Sequence, residues 1–185
     1  LAVPETAITL IPEGVSHEAA GTNPTASNFA HHGLREKRPV RPGERVLVNG
    51  ASGNVGTFAV QIAKTMAAEV TGVSRTDNKA VVRDIGAEHV IHNTAEDYRV
   101  SGERYDLFVD VAGRGGVFGV RRAIERGGGF VCIGADASGY TEAILLAPFV
   151  GLFSGRKMGL LIWRVNDQRD LADLGQLLAD GGLRP

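Results

Sequence analysis

Apolar residues fall along this chain in two alternating patterns: short β-branched or aliphatic runs, and longer stretches spaced every three or four positions. Arg45-Val46-Leu47-Val48, entered through the turn pair Pro42-Gly43, predicts a strand. Val55, Phe58, Ile62, Ala63 and Met66 then share one face at helical spacing. Glu69 to Val73 predicts a second strand, and a helix follows with Thr76 or Asp77 as its cap and Ala80, Val81 and Ile85 as its apolar side. Gly86-Ala87 stops that helix, and His89-Val90-Ile91 is a third strand. Tyr105 to Val111 is a fourth strand, apolar enough to be buried on both faces. A glycine-rich helix is expected from Val117 to Ile124, then a turn at Gly127-Gly128-Gly129 and a fifth strand from Phe130 to Ile133. The stretch across Pro148 reads as less regular. Met158 to Trp163 reads as a sixth strand, and Leu171, Leu174, Leu177 and Leu178 mark a last amphipathic helix.

Strands alternating with helices at this spacing predict βαβ units: an α/β fold with a doubly wound parallel sheet and right-handed crossovers. The first 40 or so residues differ. They hold four prolines, few periodic apolar positions and a cluster of Asn, Thr, Ser and His, so residues 1–39 are expected to be a separate, irregular segment and residues 40–185 the main domain.

Composition narrows the possible partners. Of 185 residues, 43% are hydrophobic, enough for a packed core, and the formal charge of −1 leaves no basic excess for nucleic acid or an anionic membrane. The Arg35-Glu36-Lys37-Arg38 run reads as a solvated helix end or loop. No apolar run reaches the ~20 residues of a bilayer span, and the N-terminus lacks the form of a signal peptide. The single cysteine, Cys132, allows no internal disulfide, suits a cytoplasmic location, and sits in a buried-strand pattern as an inert residue.

The candidate chemistry centres on Gly50-Ala51-Ser52-Gly53-Asn54-Val55-Gly56, which follows a strong strand and opens a strong helix. That context suits a dinucleotide pyrophosphate, because small residues let the backbone approach the oxygens while helix N–H groups and the dipole face them. This is the Rossmann arrangement, with Ala51 where the common pattern has its first glycine. A plain strand-to-helix turn is the alternative reading. The end of the second strand carries Ser74-Arg75-Thr76, with Lys79 one turn on. Hydroxyl and basic groups there fit the 2′-phosphate of NADPH better than the bare ribose of NADH. A solvated Arg75 is the plain alternative.

With those residues placed, the chain resembles the medium-chain dehydrogenase/reductase superfamily, and within it the zinc-independent quinone oxidoreductase (zeta-crystallin-like) branch. The matching stretches are 41–56 and its continuation 59–64, Ile85 to Ile91, Tyr105-Asp106-Leu107 with Asp110, and Gly127-Gly128-Gly129 with Gly134. The resemblance implies an NADPH-dependent reductase of quinones, enones or related carbonyls, acting without zinc and taking its proton from solvent or a bound water. It implies phosphate contacts from Ser52 to Val55 and adenosine-side contacts from Ser74, Arg75 and Lys79. It brings the backbone of Val111, Ala112 and Gly113, and of Ile133 and Gly134, toward ribose and nicotinamide. Asn93 stands where many such reductases have a tyrosine near the 2′-phosphate. The family's Thr-Ala helix has a counterpart in letters at Thr25-Ala26, behind Pro24. The resemblance further implies that residues 1–39 are the remnant of a substrate-covering catalytic domain that is largely absent here, and that the sixth strand is a homodimer edge.

No catalytic side chain is assigned from the sequence. His17, His31 and His32 are not read as a metal site, because neighbouring histidines do not easily share one ion and no acid has ligand spacing to them. Two other functions compete: a nucleotide-binding module without turnover, and a methyltransferase, against which Ser74-Arg75 argues by replacing the acid a ribose would want.

Overall fold

The computed structural model describes residues 4–113, 116–162 and 167–185, with the Thr76 side chain also left aside. Six strands form one parallel sheet: β1 (Arg45–Asn49), β2 (Glu69–Ser74), β3 (His89–His92), β4 (Tyr105–Asp110), β5 (Ile124–Cys132) and β6 (Lys157–Leu160). Their spatial order is β3-β2-β1-β4-β5-β6, every pair parallel. The order reverses between β1 and β4, which opens a crevice at their carboxyl ends. This is the doubly wound Rossmann arrangement expected from the alternating pattern.

Seven α-helices cover the sheet: α1 (His17–Gly33), α2 (Asn54–Thr65), α3 (Lys79–Asp84), α4 (Val117–Arg122), α5 (Ala137–Thr141), α6 (Ala147–Ser154) and α7 (Gln168–Ala179). On one face α1 packs on α2 and α7, and the core there joins Ala26, Ala30 and Leu34 to Phe58, Ile62, Val46, Val48 and Leu174. On the other face Leu47, Phe108 and Phe130 meet Val117, Val120 and Met158. Alternate residues of β1 thus enter opposite cores, as a central strand covered on both sides requires.

Several elements differ from the pattern-based reading. The N-terminal segment is irregular to Ser16 apart from a 3-10 turn at Glu5–Ala7, then becomes a 17-residue helix. Its buried face is Asn23, Ala26, Ser27, Asn28, Ala30 and His31, small and polar residues that leave no apolar stripe to read. Residues Thr76–Asn78 form a 3-10 turn ahead of α3, whose buried side chain is Val82, while Val81 points out. Gly127 to Gly129 do not end an element. β5 runs through them with a shift of register between Tyr105 and Leu107, since Gly127 takes φ +80° and a Cβ on Gly128 would lie 2.8 Å from the Asp106 carbonyl.

The stretch across Pro148 is also regular. α5, a π-helical turn at Glu142–Leu146 and α6 form one continuous helix from 137 to 154. The widened turn lies just ahead of Pro148, which has no N–H to return to the preceding turn. This 18-residue helix has a mean hydropathy of 1.2. Ala143, Ala147 and Gly151 face inward against α4 and β6, while Phe149, Leu152 and Phe153 are exposed. β6 ends at Leu160, and Trp163, expected to close it, lies outside the described residues. The Arg35 to Arg38 run is not simply solvated either. Arg38 pairs with Glu44 and donates to the Asp106 carbonyl at 3.2 Å, and Glu36 accepts from the Ile162 amide at 2.9 Å.

Candidate cofactor-binding site

The glycine turn leaves β1 at the crevice. The Gly50 and Ala51 amides both donate to the Val73 carbonyl, at 3.1 and 3.0 Å, and the Gly53 amide closes a turn on the Gly50 carbonyl at 2.9 Å. Gly50 holds φ +86°, which favours glycine. Those three amides shape the bend and face the protein. The amides of Ser52, Asn54, Val55 and Gly56 have no partner among the described residues, and no side chain caps α2 at Gly53. They are the free donors that any α-helix start presents, joined to the positive end of its dipole. A Cβ on Gly56 would lie 2.0 Å from the Gly50 carbonyl oxygen, so only glycine lets α2 begin this close to β1.

Ala51 is fully buried, and its Cβ would collide at 2.9 Å with any Cβ on Gly72 of β2. Its role is therefore packing: Gly72 has given up the space that glycine leaves free in the common pattern. Ser52 remains at the surface of the turn, its hydroxyl accepting from Asn78 Nδ2 at 3.2 Å. That bond ties the turn to the chain following β2.

Ser74 is buried at the end of β2, and its hydroxyl donates to the Arg75 carbonyl at 3.1 Å, so the side chain is partly committed. Arg75 is exposed and forms no ion pair among the described residues. Lys79 reaches Glu96 at 3.8 Å. Asn93 donates its amide to the Ser74 carbonyl at 3.1 Å and leaves its side chain exposed. A cleft of about 410 Å³ lies here, lined by Asn49, Asn93, Glu96, Tyr98, Arg99 and Ala112. It thus joins the carboxyl ends of β1, β3 and β4.

Beyond β4 and β5 the backbone is arranged differently. Register pairs Asn49 with Asp110, and Asn49 Nδ2 donates to Asp110 Oδ1 at 2.8 Å. The same oxygen accepts from the Gly113 amide at 2.8 Å and the Ala112 amide at 3.2 Å. The Asp110 carbonyl takes the Ile133 and Gly134 amides at 2.7 and 3.2 Å, and the Val111 amide goes to the Asn49 carbonyl. Gly113 and Gly134 lie too close to the opposing backbone for a Cβ, which would meet Ala135 Cα at 2.2 Å and the Val111 carbonyl at 2.5 Å. Burial raises the Asp110 carboxyl above its usual range, against the pull of the Gly113, Asn49 and Ala112 donors. Burial and the neighbouring Asp110 push the Cys132 thiol up to about 12, in keeping with an inert core residue.

The motif reading passed over the Asn49–Asp110 pair. Asp110 is visible at the end of an apolar strand, but its partner is set by register across the sheet. It also found no acid for the histidines. The structure brings Asp170, from the first turn of α7, to 2.9 Å from His32 Nε2 and 3.5 Å from His31 Nδ1. His17 stands apart, exposed at the start of α1. Thr25 is exposed on α1 and Ala26 is buried in the core.

Comparison with known proteins agrees with this architecture. Residues 54–180 match the family model described as zinc-binding dehydrogenase. An acryloyl-coenzyme A reductase of Sulfurisphaera tokodaii is 34% identical over 131 residues, which cover 70% of this chain and 39% of that protein. The quinone oxidoreductase from Coxiella burnetii superposes with a TM-score of 0.82 at 25% identity, over 95% of this chain and 53% of that one. The Escherichia coli quinone oxidoreductase complexed with NADPH shares the fold, with a TM-score of 0.76 at 20% identity over 95% of this chain and 57% of that one. The chain thus spans well under two thirds of the length of these relatives. A nucleotide-binding sheet in the 3-2-1-4-5-6 order and a match across most of its length make this chain a member of the zinc-binding dehydrogenase family, within the medium-chain dehydrogenase/reductase superfamily.

Proposed function

We propose that this chain is the NADPH-binding part of a reductase that delivers hydride to a quinone, an enone or a related carbonyl. The observation that carries the reading is the uncapped start of α2, where the Ser52, Asn54, Val55 and Gly56 amides have no partner among the described residues, at the mouth of a βαβ unit. These residues suit a pyrophosphate. Arg75, exposed and without an acid partner among the described residues, suits the added 2′-phosphate, with Ser74, Lys79 and Asn93 beside it. When bound, the nicotinamide supplies the hydride. The chain's own part is to position it: Val111 to Gly113 and Ile133 to Gly134, their amides already engaged, turn rigid backbone toward the crevice.

Relatives named acryloyl-coenzyme A reductase and quinone oxidoreductase support this substrate class. In this proposal residues 1–39 join the domain of residues 40–185 to a substrate-covering domain. In the same proposal no zinc takes part in the hydride transfer, and the protein works in the cytoplasm with neither nucleic acid nor a membrane as partner. Two copies pair through β6, an edge strand flanked by the exposed Phe149, Leu152 and Phe153. Light scattering at high concentration tests the pairing: a wild-type monomer would refute it, and Phe153→Asp should dissociate a dimer.

A second reading, a nucleotide-binding module without turnover, is favoured by the acid–base groups present. Burial pushes Tyr98 up as well as Cys132, and Asp110 is committed to backbone donors. Calorimetry with NADPH and NADH tests the shared core of both readings. NADPH should bind at least about tenfold more tightly, as expected if one charge-assisted contact to the 2′-phosphate is added. Failure of both dinucleotides to bind would end both readings. NADPH oxidation by a quinone or enone then separates the enzyme from the silent module.

A further inference from the structure

We propose that His31, His32 and Asp170 form a binding site for a divalent transition-metal ion between α1 and α7. The cluster shares no residue with the cleft at the carboxyl ends of β1, β3 and β4. Its ligand atoms, one from each side chain, all lie within 4.8 Å of one another. Adjacent residues of a helix diverge by about 100°, which normally keeps neighbouring histidines from sharing an ion. Here they converge because they offer different nitrogens. His32 reaches Asp170 with Nε2 at the tip of its ring, and His31 with Nδ1, close to its own backbone.

A tetrahedral zinc ion with bonds near 2.0–2.1 Å places its ligands roughly 3.3 Å apart. The histidine–carboxylate separations, 2.9 Å from His32 to Oδ2 and 3.5 Å from His31 to Oδ1, are close to that value, and the 4.8 Å bound on the whole set leaves about 1.5 Å for the side chains to close on an ion. Two imidazoles and one carboxylate form a donor set that suits zinc, cobalt or iron, and three protein ligands leave a coordination position open. Space for it exists in a recess of about 390 Å³ lined by His31, His32, Arg35, Glu36, Ile162 and Asp170. The donors are held in place by the fold. His31 is buried, and Asp170 sits in the first turn of α7, whose Leu171 and Leu174 pack into the core. An ion here would clip the N-terminal helix to the C-terminal one, across 138 residues of sequence.

Zinc chloride titrated into the full chain in a calorimeter tests the proposal, with cobalt chloride as a spectroscopic probe. One equivalent of zinc should bind, and cobalt should give the visible absorption of a low-coordinate site. Asp170→Asn, which keeps the side-chain shape, and His32→Ala should each weaken zinc binding at least about tenfold, while His17→Ala should leave it unchanged. Circular dichroism establishes that each variant is folded. If His32→Ala does not fold, Asp170→Asn decides alone. No zinc binding by the wild type, or equal binding by folded Asp170→Asn, would overturn the proposal. NADPH affinity plays no part in the readout, so the result stands apart from the function proposed above.

Discussion

At the β1–α2 turn four amides have no partner among the described residues, whereas beyond β4 and β5 the amides of Val111 to Gly113, Ile133 and Gly134 are all consumed within the chain. Both regions sit at the carboxyl edge of the same sheet, and both need glycine for close approach. The first keeps donors that a helix start cannot satisfy within its own ladder and that no cap side chain takes up at Gly53. The second is built around a buried acid. Asp110 gathers five donors on its carboxylate and carbonyl, which fixes the loops and leaves none of these N–H groups free. The same strand–turn–helix geometry therefore leaves unspent donors on one side of the switch point and gives a rigid wall on the other.

Breaking the wall should have the largest effect. Asp110→Ala leaves Asn49 Nδ2 and the Ala112 and Gly113 amides without their acceptor, and stability in urea should fall by about 3 kcal/mol. Asp110→Asn should cost less and also flatten the pH dependence. Burial raises the folded-state pKa of Asp110, so the folded chain holds this proton where the unfolded chain has lost it. Stability should thus fall as pH rises from the ordinary carboxylate range through the raised value, and in the asparagine variant this slope should vanish.

The glycine turn should break next. Gly56→Ala forces a methyl against the Gly50 carbonyl. It should lower stability by about 1–3 kcal/mol and abolish NADPH binding in calorimetry, while variants at the wall change stability first. Arg75→Ala should weaken NADPH about tenfold or more and leave NADH unchanged. An equal loss for both would remove Arg75 from the 2′-phosphate. The smallest effect belongs to Glu96→Gln. Freeing Lys79 from its 3.8 Å partner should tighten NADPH binding by a few-fold at low salt.

Much of the sheet was legible because its strands are buried on both faces and therefore read as near-continuous apolar runs, Val46 to Val48 and Leu107 to Val109 among them. The glycine turn was legible because the residues that make it are contiguous. α1 was not, since its buried face is made of Asn, Ser, Ala and His, and the helix is held by its neighbours rather than by an apolar stripe of its own. The helix across Pro148 is illegible for another reason: proline reads as a break in the sequence, where the chain accommodates it with a widened turn. At the candidate site, the motif marks a bend between β1 and α2 but does not say which amides the bend spends. Gly50, Ala51 and Gly53 use theirs on the protein, and Ser52 and the first three residues of α2 keep theirs free.

Local pattern alone determined that the chain alternates strands and helices, where the glycine turn between β1 and α2 lies, and that Arg75 and Lys79 follow the second strand, because each is a property of neighbouring residues. Only the tertiary structure decided that Asn49 meets Asp110, that Gly72 makes room for Ala51, and that Asp170 arrives between His31 and His32. Those partners are 61, 21 and about 138 residues apart, and strand register and helix packing, which bring them together, are set by the burial of the whole core rather than by any short stretch.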